Sequence, residues 1–169
     1  WRLANISLPD TLDYAIVVVG TNNLGHDSNK NIAEAILLVA DLVLKKHPKI
    51  KVIISGLLPR DNSTSRKRKD IKEINEILKE GCLGSFQFEF VSHEDDWADE
   101  NGKLNMQLFY HDNIHLIEAG YLRLAKSFMR AIHHLSQFSP AMDTSRTSFK
   151  EVVHHSEFKF KEDNFPTLV

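Results

Sequence analysis

Cysteine is almost absent: Cys82 stands alone, which excludes an intramolecular disulfide and any Cys-x-x-Cys metal or redox pair. Long apolar runs are missing too. Runs such as Ala15–Val19 and Val52–Leu58 fall far short of the roughly 20 residues that span a bilayer. There is no excess of one charge, since 21 Lys and Arg face 23 Asp and Glu, so nothing overall draws a polyanion. No secretory leader is visible, because Trp1-Arg2-Leu3 runs into a polar segment, and a cytoplasmic setting is favoured. The chain begins without methionine, which leaves room for an upstream segment with its own targeting. What remains is ordinary. At 169 residues, 42% hydrophobic and 26% charged, the sequence describes one globular domain with a real core.

The first apolar segment, Tyr14–Val19, is β-branched and apolar on both faces, the pattern of a central parallel strand. Gly20-Thr21-Asn22-Asn23 ends it. Ser28 and Asn29 then cap a helix to about Lys46, with Ile32, Ile36, Val39, Ala40 and Val43 at helical spacing. Lys51–Leu58 predicts a second buried strand that stops at Pro59, and Asp61–Arg68 a polar loop. The helix after that loop carries Ile71, Ile74, Ile77 and Leu78 on one side. Phe86–Val91 alternates and predicts a half-exposed third strand at a sheet edge. Residues 92–109 read as a long acidic loop. A last helix is expected over Ile117–Leu135, with Tyr121, Leu122, Ala125, Phe128, Met129 and Ile132 facing inwards. Periodicity fades after Leu135, so residues 1–135 form the domain and 136–169 a poorly ordered or partner-binding tail.

The β-α-β-α-β-α order points to an α/β fold with a parallel sheet. One feature of it is anomalous: a strand apolar on both faces should not lie at an edge, so Ile16–Val19 needs a partner. A missing N-terminal strand–helix unit would supply one.

Catalytic groups in open parallel sheets gather at the carboxyl ends of the strands. Gly20–Asn23 occupies such an end, where glycine allows a tight turn and Asn22 can aim an N–H at an oxyanion. Asn and Gly also end strands with no such role. Asp112 lies three residues before His115, and a carboxylate so placed can orient an imidazole as a general base. Taken alone, Asp112 could equally be a helix cap and His115 a surface residue. A metal site made of His111, Asp112 and His115 is a rival, though no second ligand cluster accompanies it. The Arg66–Lys69 run has no interleaved aromatics and reads as a solvated face, without a strong nucleic-acid signal. Glu94-Asp95-Asp96 lacks the periodicity of a calcium loop.

Order and spacing together resemble the SGNH (GDSL-type) hydrolases. Gly20-Thr21-Asn22-Asn23 matches the family's Gly-x-Asn-Asp block, with Asn23 in place of Asp, and Asp112-Asn113-Ile114-His115 matches its Asp-x-x-His block. Gly56–Arg60 looks like the strand-end segment of the branch containing the platelet-activating-factor acetylhydrolase subunits. The Gly-Thr-Asn-Asn-Leu wording is similar to esterase domains of metazoan LINE-type retrotransposon proteins. The resemblance covers roughly residues 10–135 and implies a three-layer α/β/α, flavodoxin-like fold. It further implies hydrolysis of a small ester or lipid ester through an acyl-enzyme, with no metal or organic cofactor. Carried over, Asn22 donates to the oxyanion, His115 is the general base and then acid, and Asp112 orients it.

The family's nucleophile block, Gly-Asp-Ser after its first strand, is absent, as is the glycine of its second oxyanion donor. Ser28 follows no strand of its own, and Ser55 lies inside a strand without a Gly-x-Ser-x-Gly elbow. The family fold sets its serine strand beside the Gly-x-Asn strand, where the unpaired Ile16–Val19 already asks for a partner. The expectation is therefore an SGNH domain lacking its first strand–helix unit and inactive as this fragment. The alternative is a non-catalytic remnant or interaction module of a retroelement-type protein.

Overall fold

The computed structural model describes residues 8–9, 11–61, 65–93 and 97–137. The tail 138–169 lies outside the described residues. Three strands, β1 (Tyr14–Val17), β2 (Lys51–Ser55) and β3 (Phe88–Val91), form one parallel sheet in the order β1-β2-β3. Tyr14 pairs with Lys51 and Val17 with Ile54, while Val52 pairs with Phe88 and Ser55 with Val91. The α/β architecture is the one expected, and β2 is its centre.

Two helices cover one face. Helix α1 (Asn29–Lys46) starts where Ser28 Oγ accepts the Asn31 N–H at 3.2 Å, so Ser28 is a helix cap. Its buried stripe, Ile32, Ala33, Ile36, Leu37, Ala40 and Val43, meets Val52 and Ile54 of β2. Helix α2 (Ser65–Cys82) adds Ile71, Ile74 and Leu78 to the same core. It begins inside the segment expected to be loop and runs through Gly81, where Leu37 of α1 packs at the place a Cβ would stand. The Cys82 thiol is buried in this core, and desolvation pushes its pKa up to about 12, which leaves it unreactive.

Helix α3 (Glu118–Gln137) covers the opposite face, and two expectations are corrected there. Its buried stripe is Gly120, Leu124, Phe128, Ala131 and Leu135, the last four of which pack with Ile53 and Val91. Of the residues expected to face inwards, Phe128 is buried and Ile132 half-buried. Tyr121, Leu122, Ala125 and Met129 face solvent. The helix carries two apolar stripes, and only one of them meets the sheet. The acidic 92–109 segment is also no mere surface loop: Trp97, Leu104, Leu108 and Phe109 complete the core beneath α3.

The expected anomaly at β1 is present. Among the described residues β1 pairs with β2 alone, and Ile16, Val18 and Val19 are 43%, 52% and 50% exposed. An edge of bare β-branched side chains is one that soluble proteins normally cover or charge.

Candidate active site

Three connections leave the carboxyl ends of the strands or cross above them, and they carry the candidate residues. After β1 the chain turns at Gly20, whose φ of 105° lies in the left-handed region. A Cβ there would come within 2.7 Å of Ile36 Cδ1, so both conformation and packing call for glycine. The chain then makes one 3₁₀ turn, Thr21–Asn23, closed by the Asn23 N–H on Gly20 O at 3.0 Å. Asn22 sits exposed on this turn.

The Tyr110–Leu116 connection is shaped by Asp112. Its Oδ1 accepts the backbone N–H groups of Ile114 and His115, each at 2.9 Å, and its Oδ2 meets His115 Nδ1 at 2.6 Å. The His115 side-chain bond, followed by the backbone N–H bonds, holds the Asp112 carboxyl well below the usual carboxylate range. A negative Asp112 fixes the proton on Nδ1 and leaves Nε2 of a 73% exposed ring as a free proton acceptor. Both Asp112 oxygens are already engaged within the loop. The His111 ring lies against Tyr110, tilted by 44° with centroids 4.2 Å apart, and among the described residues no cluster of His, Cys, Asp or Glu is arranged to hold a metal.

After β2 comes the link that sequence reasoning missed. Arg60 donates through a terminal guanidinium nitrogen to Thr21 O at 2.8 Å and Thr21 Oγ1 at 3.2 Å. Its Nε donates to Asp61 Oδ2 at 3.0 Å, where Lys67 Nζ also donates at 2.6 Å. Burial works against ionisation of Asp61, but the bonds and charges of Lys67 and Arg60 prevail and lower its pKa. The Asp61 N–H in turn donates to Asn113 O at 2.9 Å. The Arg60–Asp61 pair thus touches the Asn22 turn on one side and the His115 loop on the other. Only its position at a strand end was visible in the sequence.

Neither rejected serine is poised for attack. Ser28 is the α1 cap. Ser55 is buried, donating to Gly56 O at 3.0 Å and bonded to His93 Nε2 at 2.8 Å. With its hydroxyl proton directed at Gly56 O, Ser55 accepts from His93 Nε2, and among the described residues His93 Nδ1 is buried without a partner. Desolvation lowers the His93 pKa to about 4, so the ring is neutral and structural. Among the described residues no serine hydroxyl bonds the His115 ring.

Residues 2–123 match the model of the GDSL-like Lipase/Acylhydrolase family. The chain belongs to this GDSL-like lipase/acylhydrolase family. Human platelet-activating factor acetylhydrolase IB subunit alpha1 is 29% identical to it over 136 residues, 80% of this chain and 56% of the relative. The bovine alpha2 subunit is 28% identical over 142 residues, 83% of this chain and 61% of the relative. A solved Streptococcus pneumonia structure named for a platelet activating factor superposes with a TM-score of 0.60 at 24% identity. It covers 73% of this chain and 59% of its own, and shares the fold. The GDSL-like chain therefore spans under two thirds of the length of these relatives. The retroelement part of the resemblance rests on the Gly20–Leu24 wording alone.

Proposed function

We propose that this chain supplies the proton-transfer and oxyanion half of a serine ester hydrolase, and that the attacking serine lies outside these 169 residues. The observation that carries the reading is the 2.6 Å bond between His115 Nδ1 and Asp112 Oδ2, which presents a free Nε2 to solvent. In this scheme His115 Nε2 takes the serine hydroxyl proton as the oxygen attacks an ester carbonyl. Asn22 Nδ2 donates to the oxyanion that forms. The proton then passes from Nε2 to the leaving alcohol, and water repeats the sequence on the acyl-enzyme. Asp112 stabilises the imidazolium in both halves. The bare β1 edge is where a strand bearing the serine would pair. The relatives' names support acetyl or lipid esters as the substrate class.

The test uses the protein expressed from its natural start alongside the 169-residue chain. The chain alone is expected neither to hydrolyse short aryl acetates nor to react with a fluorophosphonate. In the longer protein, His115→Ala should abolish turnover and His111→Ala should reduce it far less. Equal losses restored by zinc would favour a metal site instead. Labelling of a serine within the 169 residues would overturn the assignment of the nucleophile.

A further inference from the structure

We infer that Arg60 and Asp61 form a brace that sets the oxyanion turn against the histidine loop, making Arg60 a positioning residue of the proposed esterase. The inference rests on that reading for its function, but its geometry stands apart from it.

A trans peptide is planar, so whatever holds a carbonyl also orients the N–H that follows it. Arg60 grips Thr21 O, and so fixes the Thr21–Asn22 peptide from which the Asn22 side chain extends. The Thr21 hydroxyl gives the same guanidinium nitrogen a second acceptor. The next residue, Asp61, grips Asn113 O and fixes the Asn113–Ile114 peptide, inside the turn that Asp112 closes around His115. Adjacent Cα atoms are held about 3.8 Å apart by the trans peptide, so the two anchors cannot drift independently.

The brace is itself stiffened. Asp61 Oδ2 receives both Arg60 Nε and Lys67 Nζ, tying the guanidinium to the first turns of α2. Arg60 and Asp61 are largely shielded, with side chains 17% and 23% exposed, so the pair is not a loose surface contact. Asp61 also holds φ at 65°, a conformation that a non-glycine residue keeps only when its surroundings demand it. Guanidinium geometry matters here, because Arg60 must serve Thr21 and Asp61 from different nitrogens at once. Lysine has one nitrogen for both tasks.

Two measurements test the brace. In the isotopically labelled 169-residue chain, Arg60→Ala should shift the amides of Asn23, Asp61, Ile114 and His115. Their hydrogen exchange should quicken about tenfold, while Ile53 and Ile54 in β2 stay unchanged. Asp61→Asn keeps the backbone donor but loses the charge that steers Arg60, and should move the Asn23 amide as well. Changes confined to one loop, spread equally to β2, or absent in Asp61→Asn would overturn the brace. In the protein expressed from its natural start, Arg60→Lys should lower kcat by roughly tenfold with KM within about twofold. A loss in KM alone would overturn the positioning role. A natural protein with no esterase activity would sink the proposed function and leave the amide result to decide the brace.

Discussion

In the proposed scheme Asp112 and His115 divide the labour between holding and reacting. One Asp112 oxygen is taken up by two backbone N–H groups, so the loop is built around the carboxylate, and the other oxygen orients the ring. Because the Asp112 pKa is lowered in the fold, its support is present above the unfolded value of 3.8 and fades as pH drops towards the folded one. Loss of the His115 loop amides in that acid range, followed by NMR, checks the sign. His93 predicts a separate effect. Its pKa falls from 6.5 to about 4 by burial, so the unfolded chain binds the extra proton between those values. Stability should therefore rise from pH 4 to 6.5, by of order 3 kcal/mol, and level off above. Denaturant melts across that range should show the slope, and His93→Gln should flatten it. Gly20→Ala should cost roughly 1–3 kcal/mol, since it meets both a left-handed φ and Ile36. A melt unchanged by that substitution would contradict the packing described for the turn.

At the scale of elements, periodicity located the three α-helices and three strands of the described residues, but it could not choose between two apolar stripes on one helix. Tyr121, Leu122, Ala125 and Met129 have the same spacing as the stripe that packs, and only the sheet decides which is used. The strands came out shorter than their apolar runs because pairing ends at Val17 and Ser55, while Val18 and Val19 continue without a partner among the described residues. Trp97 and Phe109 were hidden inside an acidic stretch with no period. The Arg60 link was illegible for another reason: it joins residues 39 apart, and a basic residue after a proline carries no mark of its target. The Gly20 turn and the Asp112–His115 pair were legible because their blocks are short and ordered, while the role of Asn22 belongs to the proposed scheme. The bare stripe gives its own prediction. Leu122→Lys with Met129→Lys should leave the 169-residue chain folded within about 0.5 kcal/mol and less prone to self-association in sedimentation. In a protein that covers this stripe, the same pair should cost several kcal/mol, of order 3.

For the whole molecule, three observations bear on what the sheet and its last helix leave uncovered. Among the described residues the outer edge of β1 has no partner strand, the spare stripe of α3 is exposed, and the chain spans 56% and 61% of the relatives reported above. Among the described residues no helix is long and apolar enough to cross a membrane. In the proposed scheme His115, Asp112 and Asn22 are the base, its orienter and an oxyanion donor, and the proposed serine would stand beside them on a strand paired with β1. The most direct measurement is fluorophosphonate labelling of the protein expressed from its natural start, with the modified peptide mapped and His115→Ala run in parallel. The expected result is a single labelled serine upstream of Trp1 and no labelling in His115→Ala. A label on a serine within Trp1–Val169, or labelling that survives without His115, would contradict the account.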